Sequence, residues 1–222
     1  MKPDLTLYMI TDRLLSEKIG KTIFQVAEEA CAAGINVLQY REKEFTQEKQ
    51  LAEAMELKAI ASKYKVLFII NDSVEIAKAV DADGVHLGQE DGDCKKARQV
   101  LGGNKIIGVT AHNVQEAVEA EKAGADYIGL SPIFVTATKN DAGEPCGVQM
   151  ITAVKRSVAI PVVAIGGINA SNLASVFAAG ADGAAMVSEF MKTKSVGKRV
   201  RKLKNIAGRK ALIAAVSYAP KE

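Results

Sequence analysis

Two apolar runs in the first half of the chain each lead into a carboxylate. Val66-Leu67-Phe68-Ile69-Ile70-Asn71-Asp72 is followed, one short helical stretch later, by Gly84-Val85-His86-Leu87-Gly88-Gln89-Glu90-Asp91. If both runs are buried parallel strands, Asp72 and Asp91 emerge on the same side of a sheet. Two such acids suit a hard divalent cation such as Mg²⁺, which takes oxygen ligands and fills the rest of its shell with water or substrate phosphate. Either acid also suits a simpler task, capping the helix that follows its strand.

Other polar residues cluster at the ends of β-rich runs. Gln39-Tyr40-Arg41-Glu42-Lys43 brings two cations and an amide, Thr110-Ala111-His112-Asn113 a hydroxyl and an imidazole, and Thr136-Ala137-Thr138-Lys139 two hydroxyls and a further cation. Arg41, Lys43 and Lys139 facing Asp72 and Asp91 form the complement of a metal-bound diphosphate, with acids for the metal and cations for the remaining phosphate charge. The alternative is a set of structural salt bridges, for which Glu42 and Glu90 are the first candidates. A second phosphate site is suggested by Ile165-Gly166-Gly167-Ile168 and Met186-Val187-Ser188, because glycine lets a backbone approach a phosphate closely. His86 reads as a packed, hydrogen-bonded side chain, whereas His112 at a strand end has the better claim to proton transfer. Neither histidine has a partner at zinc-ligand spacing, and no Gly-x-Ser-x-Gly nucleophile motif occurs.

The elements that must position these residues alternate along nearly the whole chain. Strand patterns are predicted over 7–11, 37–41, 66–71, 84–87, 105–110, 127–131, 162–166 and 183–187, with amphipathic helical patterns such as 22–33, 46–64, 113–123 and 170–179 between them. An internal echo stands just before four of the strands: Gly34-Ile35-Asn36-Val37, Asp81-Ala82-Asp83-Gly84, Gly124-Ala125-Asp126-Tyr127 and Gly180-Ala181-Asp182-Gly183. Its first residue suits a helix C-terminus, where a left-handed backbone is often needed. Eight βα units without an interrupting domain predict an α/β protein of the (β/α)8 barrel class, a TIM barrel, as a single domain over 1–222. A doubly wound open sheet is the alternative, but the chain lacks an early Gly-x-Gly-x-x-Gly fingerprint.

With 222 residues and 48% apolar composition, the chain is long enough for one large core. Its net charge of +3 is too small to argue for nucleic acid or a membrane. The positive excess sits in a basic helix and tail from about residue 192, where 192–210 holds nine basic residues and no acid. Val200, Leu203 and Ile206 recur at helical spacing there, as on a solvated face backed by core. A nucleic-acid-associated or ligand-sensing protein is the rival use of that segment. Cys31, Cys94 and Cys146 lie far apart and make no Cys-x-x-Cys pair, which argues against a disulfide framework. No run reaches the length of a membrane span, so a cytoplasmic location is expected. The final apolar run, 211–216, extends the last helix or meets a second copy in a homo-oligomer.

Six of these segments occur in the order of a known series. Gln39 to Lys43, Ile70 to Asp72, Gly84 to Asp91, Gly108 to His112, Pro132 to Lys139 and Val163 to Ile168 together resemble the motifs of the thiamine-phosphate synthase family. Those enzymes are transferases that join hydroxymethylpyrimidine diphosphate to thiazole phosphate, giving thiamine phosphate and pyrophosphate. The resemblance implies that Asp72 and Asp91 hold Mg²⁺, that Arg41, Lys43, Asn71 and Lys139 bind the diphosphate, and that Gln39 lies by the pyrimidine. It implies that Thr136, Thr138, Gly167, Val187 and Ser188 hold the thiazole phosphate, and that Arg41, Lys43, Thr110 and Lys139 serve catalysis. The family usually carries serine where this chain has Thr110, which keeps the hydroxyl and adds a methyl group. The partners so implied are small phosphorylated substrates, with neither nucleic acid nor membrane. A thiazole tautomerase of the related barrel group, with His112 as proton carrier, is the close rival.

Overall fold

The computed structural model describes residues 3–136 and 143–209. Its strands are β1 (Leu7–Ile10), β2 (Val37–Tyr40), β3 (Leu67–Asn71), β4 (Gly84–Leu87), β5 (Ile106–Ala111), β6 (Tyr127–Leu130), β7 (Val162–Ile165) and β8 (Gly183–Met186). Around them lie α1 (Arg13–Glu17), α2 (Ile23–Ala33), α3 (Gln47–Lys63), α4 (Val74–Ala79), α5 (Cys94–Leu101), α6 (Val114–Lys122), α7 (Val148–Ser157), α8 (Leu173–Ala178), α9 (Ser188–Met191) and α10 (Val196–Ala207). Every strand runs parallel to its neighbours, and β1 pairs with β8 through Tyr8 opposite Ala185, so the sheet closes. That closure is the expected (β/α)8 barrel and excludes the open doubly wound sheet.

The strands are apolar on both faces because both are buried. Tyr8, Ile10, Val37, Ile69, Tyr127, Val163 and Ala185 fill the barrel interior. Their chain neighbours, among them Leu7, Met9, Leu38, Phe68, Ile70, Ile107 and Ile128, face outward under the helices. Alternation of side chains along a strand sends each to one layer or the other. Burying one such aliphatic or aromatic side chain stabilises the fold by about 1.5–3 kcal/mol.

The strands begin and end within one residue of the sequence expectation. The helix expected at 170 begins instead at Leu173. Asparagine side chains take its first turn: Asn172 Oδ1 accepts from Asn169 N–H (2.8 Å) and Asn172 Nδ2 donates to the Gly167 carbonyl (3.0 Å). Such local bonds compete with helical ones.

The echoed segments close the base of the barrel. Their first residues, Gly34, Asp81, Gly124 and Gly180, all have positive φ, as a helix-ending turn requires. Their third residues form a repeated clamp. Asn36 Oδ1 accepts from Leu7 N–H at 3.0 Å, and Asp83, Asp126 and Asp182 accept from Phe68, Ile107 and Val162 N–H at 2.8, 2.7 and 2.7 Å. Each aspartate also meets a cation of the helix before that strand: Lys58 of α3, Arg98 of α5 and Lys155 of α7.

The basic segment is largely α10. Val196, Val200, Leu203 and Ala207 are buried, α10 packs against α2 and α8, and Arg199 pairs with Glu189 at 2.9 Å. The apolar run 211–216 lies outside the described residues. Among the described residues no helix is long and apolar enough to cross a membrane.

Candidate active site

The C-terminal ends of the strands open on one pocket. Its lining includes Gln39, Arg41, Lys43, Asn71, Asp72, Asp91, Thr110, Thr136, Gly167, Val187 and Ser188, each singled out from the sequence. Thr138 and Lys139 fall outside the described residues.

The two acids sit at the centre of its charge. Neither one caps a helix: Ser73 caps α4 by accepting from Ile76 N–H, and Asp93 caps α5 by accepting from Lys95 N–H. Asp72 is instead held in a left-handed conformation, φ +66°, with its N–H donating to the His86 carbonyl at 2.8 Å. Such a conformation is uncommon outside glycine, asparagine and aspartate, and here it follows directly on the end of β3. Asp91 folds back so that its Oδ2 accepts from Gly88 N–H at 3.0 Å. A Cβ at position 88 would lie 2.3 Å from that oxygen, so a side chain there would displace the Asp91 carboxylate.

Burial, and then the neighbouring Asp91 carboxylate, push the Asp72 carboxyl up to about 6, against the opposing pull of Lys43. Lys43 Nζ lies 3.4 Å from Asp72 Oδ2. Among the described residues, a close pair of carboxylates with one ion-paired lysine carries negative charge that a cation would relieve. No group of three or more His, Cys, Asp or Glu residues able to hold a metal occurs among the described residues. A divalent cation at this place would find two carboxylates as protein donors, a complement that suits Mg²⁺ bound together with substrate phosphate.

The rest of the rim is built by loops. Thr11, which sequence reasoning did not single out as a site residue, accepts from Arg41 N–H at 2.9 Å and so anchors the backbone of the pocket arginine. Gly166 and Gly167 have φ of +98° and +65°. A Cβ on Gly167 would meet the Val135 carbonyl oxygen at 2.5 Å and Phe134 Cβ at 2.7 Å. The glycine pair thus admits the loop after β6, whose Phe134 N–H donates to the Gly166 carbonyl at 3.1 Å. The sequence offered phosphate approach or a simple turn for these glycines; close packing of two loops is a further, steric requirement.

His86 is packed and hydrogen-bonded, as its sequence context implied, through Tyr127 and Thr110. His112 lines the rim with its Nδ1 at 2.8 Å from Glu116 Oε2. Glu42 pairs with Arg13 at 3.2 Å and is a structural salt bridge, while Glu90 does not line the pocket. Asp12, Ser131 and Met186 also line it. Each lies at or just past a strand end, which was the available signal.

Residues 7–190 match the family described as thiamine monophosphate synthase. The chain belongs to this family. It is 45% identical over 212 residues to the thiamine-phosphate synthase of Chloroflexus aurantiacus, a match covering 94% of this chain and 97% of that one. It is 46% identical over 203 residues to the thiamine-phosphate synthase of Methanosarcina mazei, covering 91% and 83%. Among solved structures, thiamine phosphate pyrophosphorylase from Pyrococcus furiosus superposes with a TM-score of 0.85 at 36% identity, covering 94% of this chain and 98% of the other. As a member of the thiamine monophosphate synthase family the chain is an enzyme, a transferase of thiamine biosynthesis. The matched span runs from β1 into α9 and so includes every strand end around the pocket.

Proposed function

We propose that the chain condenses hydroxymethylpyrimidine diphosphate with thiazole phosphate, releasing pyrophosphate and forming thiamine phosphate, with Mg²⁺ at the diphosphate. The observation that carries this reading is the Asp72–Asp91 pair at the pocket mouth, neither acid a helix cap and Asp72 paired with Lys43. Asp72 and Asp91 would hold the metal, which when bound neutralises charge on the departing phosphate oxygens.

Arg41, Lys43, Asn71 and Lys139 hold the diphosphate in this reading. In it their donors would meet the negative charge that grows as the bond between the methylene carbon and the diphosphate oxygen lengthens. The electron pair of that bond leaves with pyrophosphate. The amino-substituted ring donates electron density to the cationic carbon left behind, and the thiazole nitrogen closes on it with its own lone pair to form the new C–N bond. Little acid–base work is needed, so the pocket requires fixed charge and orientation more than a strong base. Gln39 and Thr110 orient the pyrimidine. Thr136, Thr138, Gly167, Val187 and Ser188 take the thiazole phosphate by hydroxyl and backbone donors.

Pyrophosphate release on mixing the two phosphorylated substrates with Mg²⁺ tests the proposal. Stoichiometric pyrophosphate and thiamine phosphate, lost on chelation and restored by Mg²⁺, is the expected result. Turnover indifferent to chelation would overturn the metal assignment. Isomerisation of the thiazole without pyrophosphate release would overturn the condensation in favour of a tautomerase.

A further inference from the structure

Beneath the pocket, five polar side chains form one hydrogen-bonded chain through the barrel interior. Gln39 Nε2 donates to the Tyr8 hydroxyl at 2.7 Å, and the Tyr8 and Tyr127 hydroxyls are 2.8 Å apart. Tyr127 Oη lies 2.9 Å from His86 Nδ1, and His86 Nε2 lies 3.0 Å from Thr110 Oγ1. Gln39 and Thr110, the two ends, line the pocket, whereas Tyr8 and Tyr127 lie below its floor. The backbone makes room for the middle of the chain. A Cβ at Gly108 would stand 2.0 Å from the Tyr127 ring, and one at Gly129 would stand 2.6 Å from the His86 ring.

A buried polar chain of this kind carries a direction, because each hydroxyl has one proton to give. With a Gln39 N–H donated to Tyr8, the Tyr8 proton goes to Tyr127 and the Tyr127 proton to His86 Nδ1. His86 then bears its own proton on Nε2 and donates it to Thr110, whose hydroxyl proton is left for an acceptor in the pocket. Burial holds both tyrosine hydroxyls well above the ordinary phenol range, so each remains a neutral relay. No buried side-chain nitrogen or oxygen among the described residues lacks a partner, so Gln39 Oε1 opens onto the pocket. Gln39 therefore presents an acceptor and one remaining N–H donor, the complement of an exocyclic amine beside a ring nitrogen.

Turning the Gln39 amide over alone would set Oε1 against a Tyr8 oxygen whose proton points away. Relief requires every bond of the chain to reverse, including the His86 tautomer, and converts Thr110 from donor to acceptor at the far end. Recognition at the two ends is thus coupled.

We infer that Tyr8, Tyr127 and His86 are positioning residues whose fixed hydrogen-bond direction makes Gln39 select an amino-substituted over an oxo-substituted pyrimidine. This rests on the reading that Gln39 meets the pyrimidine ring.

The test compares KM for the aminopyrimidine diphosphate with the inhibition constant of its 4-oxo analogue, in the wild type and in Tyr8→Phe, Tyr127→Phe and Thr110→Val. Tyr8→Phe frees the Gln39 amide to turn and should lower the amino-over-oxo preference by about tenfold, the effect of one hydrogen bond of fixed direction. Tyr127→Phe breaks the coupling to Thr110 and should lower the preference in the same sense, with KM for thiazole phosphate unchanged. Thr110→Val removes the far end at the pocket surface, so the question stays open to measurement even if a core variant folds poorly. Equal losses of affinity for the amino and oxo compounds in all three variants would mean a merely structural role and overturn the inference. A wild type that releases no pyrophosphate overturns the functional reading and this inference with it. A wild type that turns over normally, with the preference intact in every variant, overturns the inference alone.

Discussion

The aspartates at the two ends of the barrel are held in opposite ways. At the base, Asp83, Asp126 and Asp182 each accept from a strand N–H and meet a cation on the neighbouring helix. At the mouth, Asp72 and Asp91 approach each other beside one lysine, and burial with that like charge lifts the Asp72 carboxyl to about 6. The base acids have their charge answered within the fold and tie strand to helix. The mouth acids have, among the described residues, one ion-pair partner between them, Lys43 beside Asp72. Activity and stability are accordingly assigned to different ends of one barrel, as the fold generally permits.

The strongest way to break that division is Asp91→Asn. Loss of one of the two charges proposed to hold the metal should lower kcat/KM for pyrophosphate release by about 10²–10³, as for removal of a preorganised electrostatic partner. Melting temperature should be unchanged. Wild-type turnover, or a folding defect of matching size, would show that the mouth acids are structural after all.

Next in size is Gly167→Ala. A left-handed residue with a side chain costs about 1–2 kcal/mol, and the added methyl also collides with the loop after β6. KM for thiazole phosphate should rise while KM for the pyrimidine diphosphate holds. A parallel rise in both would deny the loops after β7 and β8 a separate site.

At the base, Asp126→Ala or Asp182→Ala should cost about 1–2 kcal/mol of stability through the lost strand N–H bond. For a chain of this size that is a melting shift of about 2–8 °C. Turnover of the folded enzyme should not change, and a selective loss of kcat would sink the comparison from its other end.

The smallest effect sharpens the contrast. Asp72 has its carboxyl raised in the fold, so the cost of its charge is absent at low pH and grows as pH climbs through about 6. Asparagine removes that cost and tolerates the positive φ. In chelator at neutral pH, Asp72→Asn should melt as high as wild type or about 1–2 °C higher, for roughly half a kcal/mol. A lower melting temperature would count Asp72 among the structural acids.

Much of this layout was legible in the chain itself. Val66 to Asn71 and Gly84 to Leu87 read as buried strands because neither face of a closed parallel sheet meets water. Once the strands were placed, Arg41, Lys43, Asp72, Asp91 and Gly167 followed as strand-end residues. The echo before four strands was visible as well, but only its turn-forming first residue was understood. The clamp made by its third residue joins Asp126 to Ile107 and Arg98, partners 19 and 28 residues away, and no local pattern reports such a bond. The late start of α8 was missed because the asparagines that displace its first turn bond back to Gly167.

By itself the sequence determined the period of each segment, and with it the count of strands and the set of residues that end up at their tips. Those are properties of a few consecutive residues, whose side chains alternate or spiral by covalent geometry. Tertiary structure alone decided which tips confront one another. That Ser73 and Asp93, not Asp72 and Asp91, cap the helices, and that Tyr8 meets Tyr127 across 119 residues, depends on register between strands brought together only when the barrel closes.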